Sequence, residues 1–166
     1  GIYACNGILF NHESPIRGET FVTKKIVRGL CNIFKKGSGK IYLGNLYAKR
    51  DWGHAKDYVV AMWKMLNQKK PKDYVIATGI QYSVKTFVNL VSKQLNMRIL
   101  WKGSGLKEKA YWNNKCIIEI DKRYFRPTEV DSLKGNAKLA RRELNWKPQS
   151  KISDLIKDMI NEDLNS

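Results

Sequence analysis

Histidine, cysteine and acidic side chains are scarce in this 166-residue chain, and each scarcity narrows what it can do. The two histidines, His12 and His54, have no partner at metal-ligand spacing, so no metal site is expected. The three cysteines, Cys5, Cys31 and Cys116, are odd in number, far apart and outside any C-x-x-C pattern. They argue against a disulfide framework and a structural zinc, and suit a reducing, cytoplasmic compartment. No apolar run reaches the ~18 residues of a bilayer span, so no transmembrane helix is expected. A G-x-G-x-x-G fingerprint is also missing. Gly37-Ser38-Gly39-Lys40 imitates the end of a phosphate loop, but Phe34 replaces its first glycine and Ile41 its Ser or Thr. Tyr111 and Lys115 fit Y-x-x-x-K, yet the intervening Trp112-Asn113-Asn114 reads as a polar connection in which they share no helical face.

Against 15 Asp and Glu stand 31 Lys and Arg, a net charge of +16. Such an excess implies an anionic partner or a strongly cationic surface. The lysines are spread over nearly every element and form no nucleic-acid module, so a basic nucleic-acid-binding domain ranks last among the readings. Apolar residues make up 43% of the chain and aromatics 11%, enough for a packed core. The length is that of one domain or of a piece of a larger one. The first residue is Gly and nothing like a signal or transit peptide follows, so the chain is expected to begin inside a longer protein.

Ile2 to Phe10 is apolar on both alternations, the pattern of a strand buried on both faces of a parallel sheet. Further strands are expected over 40–44, 73–77, 97–101 and 116–120. Helices are expected over 21–36, 55–68, 84–95, 136–144 and 152–164, the third capped by Ser83 and the first ended by Gly37-Ser38-Gly39. The helix over 55–68 carries Tyr58, Val59, Met62, Trp63 and Leu66 as its apolar positions. Strands alternating with helices make the fold class α/β.

Three cationic loops follow strands, where ligands collect in open α/β sheets. Asn11-His12-Glu13-Ser14-Pro15-Ile16-Arg17 offers an amide, an imidazole and a guanidinium to phosphate or ribose oxygens. In Lys49-Arg50-Asp51-Trp52, Arg50 suits a phosphate, Asp51 could hold that guanidinium in place, and Trp52 reads more readily as core than as a base-stacking ring. In Tyr124-Phe125-Arg126-Pro127-Thr128-Glu129, Arg126 lies between aromatics and a proline, with Glu129 placed to accept from ribose hydroxyls. The plainer reading of each loop is a solvated turn with ordinary surface charges.

The blocks Asn6-Gly7-Ile8-Leu9-Phe10-Asn11-His12-Glu13-Ser14-Pro15, Arg17-Gly18-Glu19-Thr20-Phe21-Val22-Thr23 and Ala48-Lys49-Arg50-Asp51-Trp52-Gly53-His54-Ala55-Lys56-Asp57-Tyr58-Val59 strongly resemble GDP-mannose 4,6-dehydratases. Leu43-Gly44-Asn45-Leu46, Tyr74-Val75-Ile76-Ala77-Thr78-Gly79, Tyr124 to Asp131 and Leu144-Asn145-Trp146-Lys147-Pro148 extend the resemblance along the whole chain in the family's order. It implies the C-terminal, substrate-binding portion of an extended short-chain dehydrogenase of Rossmann type. Residues 1–166 would form the GDP-sugar-binding portion and begin in a strand of the Rossmann sheet, with the N-terminal Rossmann half missing.

Enzymes of that family are NADP-dependent lyases. They oxidise C4 of GDP-mannose, eliminate water across C5 and C6, and reduce C6, giving GDP-4-dehydro-6-deoxy-D-mannose for GDP-L-fucose and other deoxyhexoses. The resemblance places the catalytic residues upstream of residue 1, so none is assigned here and the chain alone is expected to be inactive. It implies NADP contacts from His12 and Arg17, and GDP-mannose contacts from Asn11, Lys25, Arg50, Arg126 and Glu129. It also implies a homodimeric or homotetrameric full-length enzyme. Ile16, Tyr47, Ile80 and Tyr82 depart from the family pattern, where Arg, Asp, Glu and His are common. The alternative from a different class is a non-catalytic GDP-sugar-binding or interaction remnant.

Overall fold

Why short strands and amphipathic helices alternate here is visible in which side chains the fold hides. The computed structural model describes residues 1–125, 128 and 130–165. Its elements begin β1 (Gly7–Leu9), β2 (Asn11–Glu13), α1 (Val22–Lys36), β3 (Ile41–Leu43), β4 (Lys49–Arg50), β5 (Trp52–His54) and α2 (Ala55–Leu66). They continue β6 (Tyr74–Ile76), β7 (Tyr82–Ser83), α3 (Val84–Gln94), β8 (Leu100–Lys102), β9 (Lys109–Trp112), β10 (Lys115–Ile120), α4 (Lys138–Glu143) and α5 (Ile152–Asn165). The chain divides into two compact units, one of Gly1–Ser14, Lys49–Tyr82 and Ser132–Leu155, the other of Pro15–Ala48, Ser83–Asp131 and Ile156–Ser166.

In the first unit β1 runs parallel to β6 with Ile8 opposite Val75, and β2 runs parallel to β5 with His12 opposite Gly53. Its core joins Tyr58, Ala61 and Met65 of α2 to Tyr74 and Ile76 of β6 and to Ala140, Leu144 and Trp146 around α4. The Trp146 indole donates to the Asp57 carbonyl at 2.8 Å, which satisfies a buried N–H and ties the chain beyond α4 to α2.

Two expectations need correction. The first strand is three residues long, not nine, and Ile8 is exposed rather than buried on both faces. The inward face of α2 is Tyr58, Ala61 and Met65, spaced as one helical stripe, while Val59, Met62, Trp63 and Leu66 face outward. Helix α2 is therefore apolar on two sides, and counting apolar residues alone does not say which side is the core.

In the second unit α1 lays Ile26, Val27, Leu30 and Ile33 into the core and packs on α3 and β3. Gly37, at φ +66°, closes α1 with its N–H on the Ile33 carbonyl. Ser83 caps α3 by accepting from the Thr86 N–H, as the sequence implied. The four-stranded sheet runs β3-β10-β9-β8, with β10 parallel to β3 and antiparallel to β9. Tyr111 and Lys115 flank the β9–β10 turn, where Asn113 and Asn114 both take positive φ, a conformation asparagine tolerates. The polar connection is thus the turn of a hairpin. Tyr111 is paired with Cys116 and shares no helical face with Lys115. Beneath α1, Lys24 forms a buried ion pair with Asp163 of α5 at 2.8 Å and also donates to the Pro15 carbonyl.

Glu119 of β10 lies between Lys109 of β9 at 2.8 Å and Lys40, just before β3, at 3.1 Å, so one carboxylate bridges three strands. Hydrogen bonds from Lys109 and then Lys40 hold it down to about 2, against an ordinary 4.5. A carboxyl whose folded value is depressed stabilises the fold above its unfolded value and loses that contribution as pH falls through the folded one. Acid unfolding of the chain is therefore expected to steepen between pH 4.5 and about 2, and Glu119→Gln to flatten that limb. Urea midpoints measured across this range for both proteins test it, and parallel curves would contradict it.

Candidate functional site

Asn11 and His12 occupy β2, in register with Trp52 and Gly53 of β5, and Arg50 lies two residues upstream of Trp52. The segments expected as loops are thus partly strands: Asn11 and His12 lie on β2, which pairs with β5, while Arg50 lies on β4, just before β5. All three polar side chains are half-buried, in reach of solvent but held by the strands. His12 Nδ1 is 2.9 Å from the Phe10 carbonyl. A carbonyl only accepts, so Nδ1 carries a proton and donates it there. The His12 ring lies 5.3 Å from the Tyr58 ring. Burial, with the charges of Asp51, Asp57 and Glu13 adding to it, drives the Tyr58 phenol far above its ordinary value, so it stays neutral. Gly53 is required where β5 passes Tyr58, because a Cβ there would come within 2.5 Å of the ring. Trp52 is buried, in accord with the core reading.

Arg50 donates from Nη1 to its neighbour's carbonyl at 2.9 Å. Asp51 does not hold it, contrary to the expectation from the sequence. The fully buried Asp51 carboxylate accepts instead from Thr78 N at 2.9 Å and Thr78 Oγ1 at 2.5 Å on one oxygen, and from Gly79 N at 2.8 Å and Gly135 N at 3.2 Å on the other. With every acceptor direction met by these loops, none is left for a guanidinium. Beside it, the Leu133 N–H donates to the Lys49 carbonyl at 3.0 Å, and Lys49 bridges Ser132. Asp51 is thus the knot that binds β4, the end of β6 and the approach to α4.

In the second unit the Arg17 guanidinium lies over the Phe21 ring and the Lys25 ammonium over the Tyr124 ring, each 3.5 Å from the centroid. Lys25 therefore stands beside the aromatic that precedes Arg126 by two positions in the sequence. Arg126 and Glu129 themselves fall outside the described residues. Of the departures from the family pattern, Ile16 and Ile80 are exposed. The Tyr47 hydroxyl donates to Glu108 at 2.7 Å, and Glu108 also takes the Lys85 ammonium at 2.5 Å. Tyrosine at position 47 thus builds its own contact with a buried acid. Sequence reasoning missed the Asp51 knot because its four donors come from positions far apart in the chain.

A sequence model of the GDP-mannose 4,6 dehydratase family matches residues 1–159. The chain belongs to the GDP-mannose 4,6-dehydratase family. It is 53% identical to a GDP-mannose 4,6 dehydratase of Drosophila melanogaster over 165 residues, 98% of this chain and 42% of that protein. With the GDP-mannose 4,6-dehydratase of Sinorhizobium fredii it shares 51% over 166 residues, 99% of this chain and 47% of the relative. The chain thus spans less than half the length of these family members. Its fold is that of RMD from Pseudomonas aeruginosa complexed with NADPH, with a TM-score of 0.76 at 14% identity, covering 96% of this chain and 47% of that one. A dTDP-glucose 4,6-dehydratase from Bacillus anthracis in complex with NAD gives 0.70 at 16% identity, covering 94% of this chain and 43% of that one. The fold is therefore part of the extended short-chain dehydrogenase architecture, Rossmann-type and α/β. No helix among the described residues is long and apolar enough to cross a membrane, and no group of three or more metal-ligating side chains occurs among them.

Proposed function

We propose that residues 1–166 are the GDP-sugar-binding portion of an NADP-dependent GDP-mannose 4,6-dehydratase, beginning in a strand of its Rossmann sheet. The observation that carries the reading is the 53% identity over 98% of the chain, and the segments whose sequence resembles the family include the strands that hold Asn11, His12 and Arg50. Arg50 and Arg126 neutralise the diphosphate of GDP-mannose, Asn11 and Lys25 bind its polar oxygens, and Glu129 accepts from ribose hydroxyls. A nicotinamide nucleotide supplies the oxidising and reducing power at the sugar carbons. The similar structures bind NADPH or NAD, and NADP is the form proposed here. This chain fits the cofactor only in part: the His12 imidazole and the Arg17 guanidinium suit a ribose or phosphate, whereas no glycine-rich cradle for a pyrophosphate is present in its sequence. The full enzyme is proposed to be cytoplasmic and to act as a homodimer or homotetramer.

The test is affinity for GDP-mannose in this chain fused behind the upstream half of the Drosophila relative. Arg50→Ala and Arg126→Ala are each expected to weaken binding by about 1.5–3 kcal/mol, a factor of roughly ten to a hundred, as loss of a charge-assisted contact does. The effect should appear in KM more than in kcat, since the diphosphate is bound alike before and during reaction. Unchanged affinity in either variant would remove that arginine from the site.

A further inference from the structure

A second cationic feature lies apart from these residues, wholly within the first unit. A cavity of about 380 Å³ beside α4 is lined by Gly79, Gly135 and Asn136 together with Lys134, Lys138 and Arg141. None of the residues assigned above to the sugar nucleotide or the cofactor lines it. Its volume falls in the range of small-molecule sites, roughly 300–1,000 Å³. The lining contains three cations and no acid, and Ala137 is its one apolar side chain. An apolar ligand would find little to bind, whereas an anion would meet charge from several directions.

Of the three cations, Arg141 is built into this geometry, while Lys134 and Lys138 are exposed at its rim. The Arg141 guanidinium is fixed by donating to the Thr78 carbonyl at 2.7 Å. It packs directly over Gly79, whose φ is +80° and where a Cβ would stand 3.3 Å from the guanidinium nitrogen, so glycine opens this wall. Asp51, under the floor, is saturated by Thr78, Gly79 and Gly135 and has no acceptor left for the lysines. Glu143, on the same helix as Arg141, is taken by Lys72 and Arg142. No acidic partner engages Lys134 or Lys138 among the described residues. Positive charges gathered around one cavity repel, and an anion between them relieves that repulsion.

We propose that this cavity binds a small polyphosphate, a diphosphate group either free or carried by a nucleotide. The arginine supplies a planar pair of donors, and the two lysines act as mobile point charges on the remaining oxygens.

The experiment is titration of the 166-residue chain with inorganic pyrophosphate and with GDP at fixed ionic strength. Lys134→Ala with Lys138→Ala is compared with a control pair of equal charge change, Lys69→Ala with Lys70→Ala. The cavity pair is expected to weaken pyrophosphate about tenfold or more, and the control pair less than about twofold. A parallel loss for GDP assigns recognition to the diphosphate, and a greater loss for GDP extends the same site to the nucleoside. Arg50→Ala is expected to remove only the pyrophosphate bound at the proposed sugar-nucleotide site, and the lysine pair to weaken the remaining site as much in the Arg50→Ala background as without it. If no pyrophosphate binding remains in Arg50→Ala, the anion occupies the proposed sugar-nucleotide site alone and the cavity proposal fails while the functional reading stands. Equal weakening by the two lysine pairs, no binding by the unmodified chain, or duplex DNA displacing pyrophosphate from all variants alike would overturn the cavity proposal as general attraction to a basic surface.

Discussion

The 166-residue chain by itself is expected to convert no GDP-mannose, and the same chain joined behind the upstream half of the Drosophila relative is expected to convert it with catalytic NADP. The difference should span at least about 10⁶-fold, the low end of what an assembled enzyme site contributes over the uncatalysed reaction. Dehydration at C5 and C6 needs a group to take the C4 hydroxyl proton and an acid–base pair beside the departing hydroxyl. Tyr111 and Lys115 cannot supply the first, because they flank a β-turn and Tyr111 pairs with Cys116. What this chain is proposed to contribute is binding, through Asn11, Lys25, Arg50, Arg126 and Glu129. Joining the halves is also expected to cover apolar surface that the chain alone exposes, Ile8 on β1 and Trp63 on α2. Trp63 emission should then shift to the blue on fusion and lose that shift in Trp63→Phe. Turnover by the unfused chain would mean that its own residues perform the chemistry. A folded fusion that binds GDP-mannose without turning it over would favour a non-catalytic remnant.

The parts of the fold legible in the sequence are those where local chemistry decides. Ser83 before an apolar stripe and Gly37 after one mark helix ends because a cap and a left-handed turn are local requirements. The strand ahead of Asn11 is legible in place but not in extent: the mostly apolar stretch from Ile2 to Phe10 reads as one buried strand, yet only Gly7 to Leu9 pair, with β6. Helix α2 shows the same limit, since Val59 and Trp63 are as apolar as the positions that face the core. The placement of Asn11, His12 and Arg50 on strands was not legible: their segments read as loops after strands, whereas β2 runs through Asn11 and His12, and β4 through Arg50. The anion cavity was not legible, because Gly79 and Gly135 come together on a carboxylate at position 51 that the sequence suggested would hold Arg50, and Arg141 is drawn in by the Thr78 carbonyl. Four donors converging on that carboxylate can be counted only in three dimensions.

Asp51 is accordingly where a single substitution is expected to harm the fold most. Alanine there would leave the N–H groups of Thr78, Gly79 and Gly135 and the Thr78 hydroxyl facing a void. Each stranded donor costs about 1–3 kcal/mol when water cannot reach it, and partial relaxation of the loops brings the expected total to about 3–5 kcal/mol. Asparagine should do little better, because its amide turns two hydrogens toward groups that are themselves donors. Glu143 is the informative comparison: it binds Lys72 and Arg142 near the surface and accepts one hydrogen bond from the Tyr74 hydroxyl at 3.2 Å, so Glu143→Ala should cost about 1 kcal/mol, well below Asp51→Ala. Urea unfolding of the fused protein, followed by circular dichroism, distinguishes the two carboxylates. If Asp51→Ala and Glu143→Ala shift the midpoint equally, the knot is not what holds Thr78 and Gly135 together. If Asp51→Ala alone lowers it, the pyrophosphate cavity should loosen with it, since Gly79 and Gly135 form part of the lining and lose the anchor that fixes them.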